Sequence, residues 1–340
     1  MTMLETVREL IFVPGISGYE DGMRQFIKDR LGRGVRTEVD NLGNLIVPMT
    51  KGPKSIVLMA HMDEIGMVVT KLEDDGSLRF RKVGGIDDRT LAGRMVEIKT
   101  SKGIVTGVIG MKPIHLMADR SETQKTIPAE ELFIDIGARD KKEARNLGIK
   151  MLDPAVLKKD LIVMNKKYVS ARGLDDRCGC AVLLDVYERL KKEKLRQGVT
   201  LVFSVQEEVG LRGARAIANT MHPDYIFAID SMSSTDGPGI PKITEPVILG
   251  KGPALRVIDN LAMASPVLRE YLLALAKKKR IPIQIGVTGG TTDGAAVQEC
   301  GSAMMPLAFP LRYTHTPVEV IHLDDLENLS RLVVEAVKGL

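Results

Sequence analysis

The sequence predicts an α/β fold, a sheet covered by helices, interrupted by an inserted all-β domain. Three observations carry this. Residues 1–65 and 166–340 alternate helix-spaced apolar segments with continuous apolar runs such as Ser55–Ala60 and Val199–Val205, which read as strands buried on both faces. Residues 66–165 instead carry short segments of alternating polarity separated by turn signals, among them Asp74-Asp75-Gly76 and Ser101-Lys102-Gly103. The α/β alternation returns after Gly173 and persists to the end, so the two flanking parts are read as one domain, residues 1–65 with 166–340.

In chain order, Leu4, Val7, Leu10 and Ile11 give Met3–Phe12 helical spacing, which Pro14-Gly15 ends. Ser17-Gly18-Tyr19-Glu20 has the pattern of a capping box, a hydroxyl and an acid three residues apart that satisfy the first free N–H groups of a helix. A second helix is therefore expected, with Met23, Phe26, Ile27 and Leu31 as its buried stripe. Val35–Val39 and Asn44–Met49 read as strands around the turn Asp40–Gly43, and Ser55–Ala60 as a central strand that runs into His61-Met62-Asp63-Glu64. The insert offers strands at Met67–Leu72, Leu78–Val83, Met95–Thr100, Gly103–Ile109 and Glu131–Ile136, and a polar, aperiodic stretch, Lys112–Ala129, expected to be a mobile loop. Beyond it the reading is helix Cys178–Leu190, strand Val199–Val205, helix Leu211–Asn219, strand Tyr225–Ile229, helix Pro266–Lys279 and strand Ile281–Val287. A short helix opened by Gly289–Gly294, strand Ala303–Phe309 and helix Leu323–Lys338 complete it.

Composition excludes several function classes. With 340 residues, 44% of them apolar and 27% charged, the chain has the makings of a large buried core. Its net charge of +4 is spread out, and the basic clusters Lys191–Arg196 and Lys277–Arg280 fall at predicted helix ends, where cations oppose the helix dipole; no nucleic-acid partner is expected. No apolar segment approaches the ~20 residues that span a bilayer, and the N-terminus lacks a basic stretch followed by an apolar core. A cytoplasmic protein with no membrane partner is the expectation. Three cysteines, Cys178, Cys180 and Cys300, argue against a disulfide framework, and Cys178 and Cys180 read as small buried thiols on a helix.

The chemistry gathers where apolar runs end. Glu207-Glu208 closes the Val199–Val205 run, and two carboxylates taken out of water repel one another and lose hydration. A nearby cation removes that conflict, and if Glu208 ligates it, Glu207 remains free to act as a base toward water. The plain alternative is a solvated strand end. His61 and Asp63, two apart at a strand terminus, project to one side. Asp175, Glu208 and Asp230 lie at strand or loop ends and His315 in the loop after Ala303–Phe309; open α/β sheets collect their sites at the carboxyl ends of strands. Singly, each has a bland reading: a lone histidine is more often structural, and Asp175-Asp176 could be a turn or cap. His115, His222 and His322, in a loop, a turn and before the last helix, are left out of the site.

Together these stretches resemble the M42 family of metallo-aminopeptidases. The resemblance rests on Ala60-His-Met-Asp-Glu64, Gly173-Leu-Asp-Asp-Arg177, Gln206-Glu-Glu-Val-Gly210, Ala228-Ile-Asp230, Gly289-Gly-Thr-Thr-Asp293 and Tyr313-Thr-His315. It implies a zinc-peptidase-like mixed sheet with a β-barrel-like dimerisation insert, and a dimer-built tetrahedral dodecamer. It further implies two divalent metals bridged by Asp175, with His61 and Asp230 completing one site and Glu208 and His315 the other. By the same resemblance Glu207 is the general base, Asp63 orients His61 or the adjacent metal, the Asp175–Asp176 bond is cis, and Gly289–Gly294 walls the substrate pocket. Imidazole and carboxylate ligands suit zinc first and cobalt next. The implied reaction removes N-terminal residues from peptides by attack of a metal-held hydroxide. Another metal-dependent amide hydrolase, such as an acylamino-acid deacylase, and a non-catalytic metal-binding scaffold are the alternatives; the intact Glu207 argues against the scaffold, which needs ligands but no base.

Overall fold

The computed structural model describes every residue except Lys242 and Ile243, together with the side chain of Glu122. In the run Ser55–His61, successive side chains point to opposite faces, and both faces are covered. Ile56, Leu58 and Ala60 pack into a core with the helices Met3–Ile11, Asp21–Leu31, Leu174–Leu190, Pro266–Lys279 and Leu323–Gly339. Val57 and Met59 pack on the other side against Arg212–Ala218 and Asp293–Gln298. This double burial is why the run is apolar throughout.

The sheet has eight strands in the order Glu38–Val39, Leu45–Pro48, Gly198–Ser204, Ser55–His61, Tyr225–Ser233, Ala303–Leu311, Ala254–Ile258 and Gln284–Val287. It is mixed: the four strands from Gly198–Ser204 to Ala303–Leu311 run parallel, while Leu45–Pro48 and Ala254–Ile258 pair antiparallel with their inner neighbours. The parallel register aligns Ser204 with His61 and Ala228 with Met59, so the carboxyl ends of three strands open at one level.

The insert is a closed barrel in the order Gly66–Leu72, Leu78–Val83, Ile134–Asp135, Gly103–Ile109, Met95–Thr100 and Pro154–Leu157. Met67, Val69, Leu78, Phe80, Val96, Ile98, Ile134 and Ala155 fill it. A third sheet joins Ile162–Met164, Tyr168–Ala171 and Glu319–His322, so the last two strands bring the segment before Asp175 against the segment after His315.

Several sequence expectations change. The strand expected over Val35–Val39 is confined to Glu38–Val39, that over Ile281–Val287 begins at Gln284, and that over Glu131–Ile136 shrinks to Ile134–Asp135 after a 3-10 turn. Lys112–Ala129 is shaped by short 3-10 turns at Ile114–Leu116 and Arg120–Gln124. The capping box at Ser17–Glu20 does not form: Glu20 is the N-cap of Asp21–Leu31 but makes no side-chain cap bond. Ser17 and Glu20 spend their side chains elsewhere, as described below. A capping box does form at the first helix, where Thr2 and Glu5 bond each other's backbone N–H.

Barrel and sheet meet at a buried ionic cluster. The Glu64 carboxylate lies 2.7 Å from Lys159 Nζ, 3.1 Å from Arg172 Nη2 and 3.3 Å from Arg177 Nη2, all side chains at most 5% exposed. Arg172 donates to the carbonyls of Ile65 and Leu157, where the chain enters and leaves the barrel, and Arg177 to that of Gly15. Burial would raise the Glu64 carboxyl, but the three cations outweigh it and hold it at about 2; burial in turn pushes Lys159 down to about 7. One anion facing three cations cannot be removed cheaply. Glu64→Ala is expected to lower unfolding stability by about 3–5 kcal/mol in denaturant titration, because it leaves buried cations uncompensated. A loss below about 1 kcal/mol would show that the cluster is held by other means.

Candidate active site

The site assembles at the carboxyl ends of the parallel strands, where an apolar run has to give way to groups that face outward. His61 is the last residue of its strand, Asp230 lies within Tyr225–Ser233, and Glu207-Glu208 follows Gly198–Ser204. Asp175 comes from the break at the start of the Leu174–Leu190 helix, where the Asp175–Asp176 peptide is cis. His315, at φ 62, comes from the loop after Ala303–Leu311.

The six side chains converge. His61 Nε2 lies 3.3 Å from Asp175 Oδ1, 3.9 Å from Asp230 Oδ1 and 4.0 Å from Glu207 Oε2. His315 Nε2 lies 3.3 Å from Glu208 Oε2 and 3.7 Å from Asp175 Oδ2. Asp175 thus touches both imidazoles, one with each oxygen. Donor atoms of Asp175, Glu208 and His315 form one cluster within 4.8 Å, and His61 shares others with Glu207 and Glu208 and with Asp176 and Asp230. Asp176 is the least available of these, because its oxygens already accept the N–H groups of His61 and Gly179.

Asp63 lies wholly buried behind His61. Its Oδ1 is 3.4 Å from His61 Nδ1 and accepts the Glu207 N–H at 3.0 Å, while Oδ2 accepts the Glu208 N–H and the Ser17 hydroxyl. One carboxylate therefore touches the imidazole of His61 and the backbone of both adjacent glutamates.

Among the described residues, the ion pairs of Asp175, Glu207, Glu208 and Asp230 are with His61 and His315 alone. Burial is the largest influence on each group. It pushes Glu207 and Asp230 well above the ordinary carboxylate range, with neighbouring carboxylates adding to the push and His61 opposing it. Burial also works against Asp175, but the hydrogen bond and charge of His61, with His315, hold it at about 2. His315 would be lowered by burial; its contact with Glu208 raises it instead to about 10. A cavity of ≈ 490 Å³ opens in front of these groups, walled by Ser231, Arg256, Gly289, Gly290 and Thr291.

This arrangement has counterparts among known proteins. A model of the M42 glutamyl aminopeptidase family matches residues 43–332. The chain belongs to the M42 peptidase family. It is 34% identical over 339 residues to a putative aminopeptidase of Acetivibrio thermocellus, covering 98% of each, and 30% identical to a lysyl aminopeptidase of Pyrococcus furiosus, covering 98% of this chain and 97% of that one. Its fold superposes on the Pyrococcus horikoshii TET1 peptidase, described as assembling into a tetrahedron or a large octahedral shell, with TM-score 0.94, 46% identity and full coverage of both chains.

M42 peptidases are metal-dependent aminopeptidases, and the donor set of this one fits that dependence. Four largely buried carboxylates, whose ion-pair partners among the described residues are imidazoles alone, carry an anionic excess that divalent cations would neutralise. This M42 peptidase also uses residues that the sequence reading passed over. Glu319, 1% exposed, accepts the N–H of Leu174 at 2.7 Å and of His315 at 2.9 Å, with a longer contact from Asp175. Ser231 donates to Asp175 Oδ2 at 2.9 Å. The one sequence signal for Glu319 is an acid inside the apolar segment Val318–Ile321.

Since Glu319 holds the backbones of Asp175 and His315 together, Glu319→Ala is expected to weaken retention of divalent cation by about 10–100-fold, the usual effect of removing a group that orients ligands. Competition against a chromophoric chelator measures it. A folded variant with unaltered affinity would contradict that role.

Proposed function

We propose that this M42 peptidase is a dinuclear metallo-aminopeptidase that removes residues from the free N-terminus of peptides. The observation that carries the reading is the position of Asp175, whose two oxygens face two different imidazoles. In this assignment His61 and Asp230 hold one divalent cation, Glu208 and His315 hold the other, and Asp175 is shared. Zinc is the default and cobalt the next candidate for such a nitrogen and oxygen donor set.

Bound cations would supply Lewis acidity toward the scissile carbonyl and bring the pKa of a water from 15.7 toward about 7. Glu207, which ligates neither cation in this assignment, accepts the proton of the attacking water at its carboxylate and passes it to the departing amine. Asp63 positions His61 through Nδ1, and the cavity beside Ser231 and Gly289–Thr291 receives the side chain of the N-terminal residue. The likeness to a shell-forming relative supports self-assembly into a tetrahedral dodecamer built from dimers, with the barrel as contact element. The exposed apolar residues Ile104, Val108, Met111, Ile114 and Leu116 on and beside the barrel fit that role, and would bring Lys112–Ala129 near a neighbour's site. Among the described residues no helix is long and apolar enough to cross a membrane, in keeping with a cytoplasmic peptidase.

Two experiments test this reading. Glu207→Gln is expected to cut kcat by about 10²–10⁴-fold while metal content stays near two per chain, and Glu208→Gln to lose both metal and turnover. The reverse pattern would exchange the two roles, and full turnover of the unsubstituted enzyme in excess chelator, with metal confirmed absent, would end the metal mechanism. Sedimentation should find a particle far larger than the 37.2 kDa chain at micromolar concentration; monomer alone would contradict the assembly.

A further inference from the structure

The turn Gln206–Glu208, which carries the two adjacent glutamates, is not held by its own strand. Gln206 sits at φ 55 and Leu211 at φ 56, left-handed conformations that non-glycine residues enter at a cost and keep only where surrounding groups fix them. The Glu207 carbonyl is held locally by the N–H groups of Gly210 and Leu211 and that of Gln206 by Arg212 N–H, but the amides of the turn are held by groups from the N-terminal part of the chain. Glu20, 5% exposed, accepts the Gln206 N–H at 3.1 Å and the Gly18 N–H at 2.8 Å with the same oxygen. Ser17, also 5% exposed, donates at 2.6 Å to Asp63 Oδ2, the oxygen that accepts the Glu208 N–H, while Asp63 Oδ1 accepts the Glu207 N–H. Three successive amides, Gln206, Glu207 and Glu208, are thereby taken up by two carboxylates, Glu20 and Asp63. The segment bearing Ser17 and Glu20 is itself anchored: Ile16 bridges to Glu64, Ser17 N–H donates to the Glu64 carbonyl and Glu64 N–H to the Gly15 carbonyl.

We propose that Ser17 and Glu20 are positioning residues for the hydrolytic reaction: from the N-terminal segment they fix the Gln206–Glu208 turn, and with it the carboxylates of Glu207 and Glu208, relative to His61. The proposal rests on the roles given above to Glu207 and Glu208. Neither Ser17 nor Glu20 touches the cavity in which substrate is placed, so both act through the turn. A displacement of about 1 Å in a reacting group can cost about 10²-fold in rate, whereas substrate binding in front of Ser231 and Gly289–Thr291 is left alone.

The test uses the assembled, metal-loaded protein and reads two quantities, amide hydrogen exchange in peptides spanning residues 204–211 and the steady-state constants on an aminoacyl fluorogenic amide. Glu20→Ala is expected to speed exchange of the turn about tenfold or more and to lower kcat by at least about tenfold, with KM changed less than about threefold. Glu20→Gln keeps a carbonyl oxygen for the two amides and is expected to restore slow exchange and most of kcat. A folded Glu20→Ala protein with wild-type exchange and kcat would overturn the proposal, as would a Glu20→Gln protein as impaired as Glu20→Ala. Should Glu20→Ala not fold, Ser17→Ala decides: it removes one hydroxyl and adds no bulk, and kcat at least about threefold lower with unchanged KM is the expected result. Wild-type kcat in that variant would refute it. Glu207→Gln at full activity would instead show the base assignment to be at fault, while the exchange data still report whether Glu20 holds the turn.

Discussion

Buried carboxylates need a counter-charge, and much of this molecule is arranged around that need. Asp175, Glu207, Glu208 and Asp230 gather beside the carboxyl ends of parallel strands that are largely apolar up to that level. His61 and His315 are their only ion-pair partners among the described residues, so their closeness is costly to the folded protein until cations lie between them. The groups behind them limit that cost by holding backbone. Asp63 takes the amides of Glu207 and Glu208, Asp176 those of His61 and Gly179, and Glu319 those of Leu174 and His315. Each is a buried acid whose oxygens accept N–H groups of the segments that carry the inner groups, which fixes how those groups face one another.

Two neighbours in sequence divide the work. Asp63 and Glu64 follow one another just beyond the central strand, one reaching the active-site groups and the other reaching Lys159, Arg172 and Arg177 at the barrel junction. The path of the chain into the barrel and the placement of His61 are therefore fixed within four residues. The N-terminal segment Gly15–Glu20 lies across both, bonded to Glu64 through its backbone and to Asp63 and Gln206 through its side chains.

How much of this is legible in the sequence depends on the range of the interaction that decides it. The covered strand Ser55–Ala60 and the alternating insert are local patterns, and they reappear as a central strand and a closed barrel. The residues singled out for chemistry, His61, Asp175, Glu207, Glu208, Asp230 and His315, are brought within contact of one another, because parallel strands open at one level. The misreading of Ser17–Glu20 is instructive. Its spacing satisfies a capping box, but two long-range bonds, Ser17 donating to Asp63 and Glu20 accepting from Gln206, win over the local one. Pro154–Leu157 and Glu319–His322 were missed as strands since each has only four residues and is defined by partners far away in sequence. Glu319 itself could not be placed without knowing that its strand runs beside Tyr168–Ala171, just ahead of Asp175.

In the proposed assignment Asp175 is shared by two cations, one held with His61 and Asp230 and the other with Glu208 and His315. Anomalous diffraction at the zinc edge, from crystals of the protein grown with zinc, tests it most directly. The account predicts two anomalous peaks on either side of the Asp175 carboxylate, each within about 2.0–2.2 Å of its own imidazole and carboxylate donors. A single peak, or two peaks of which one lies beyond reach of Asp175, would contradict it.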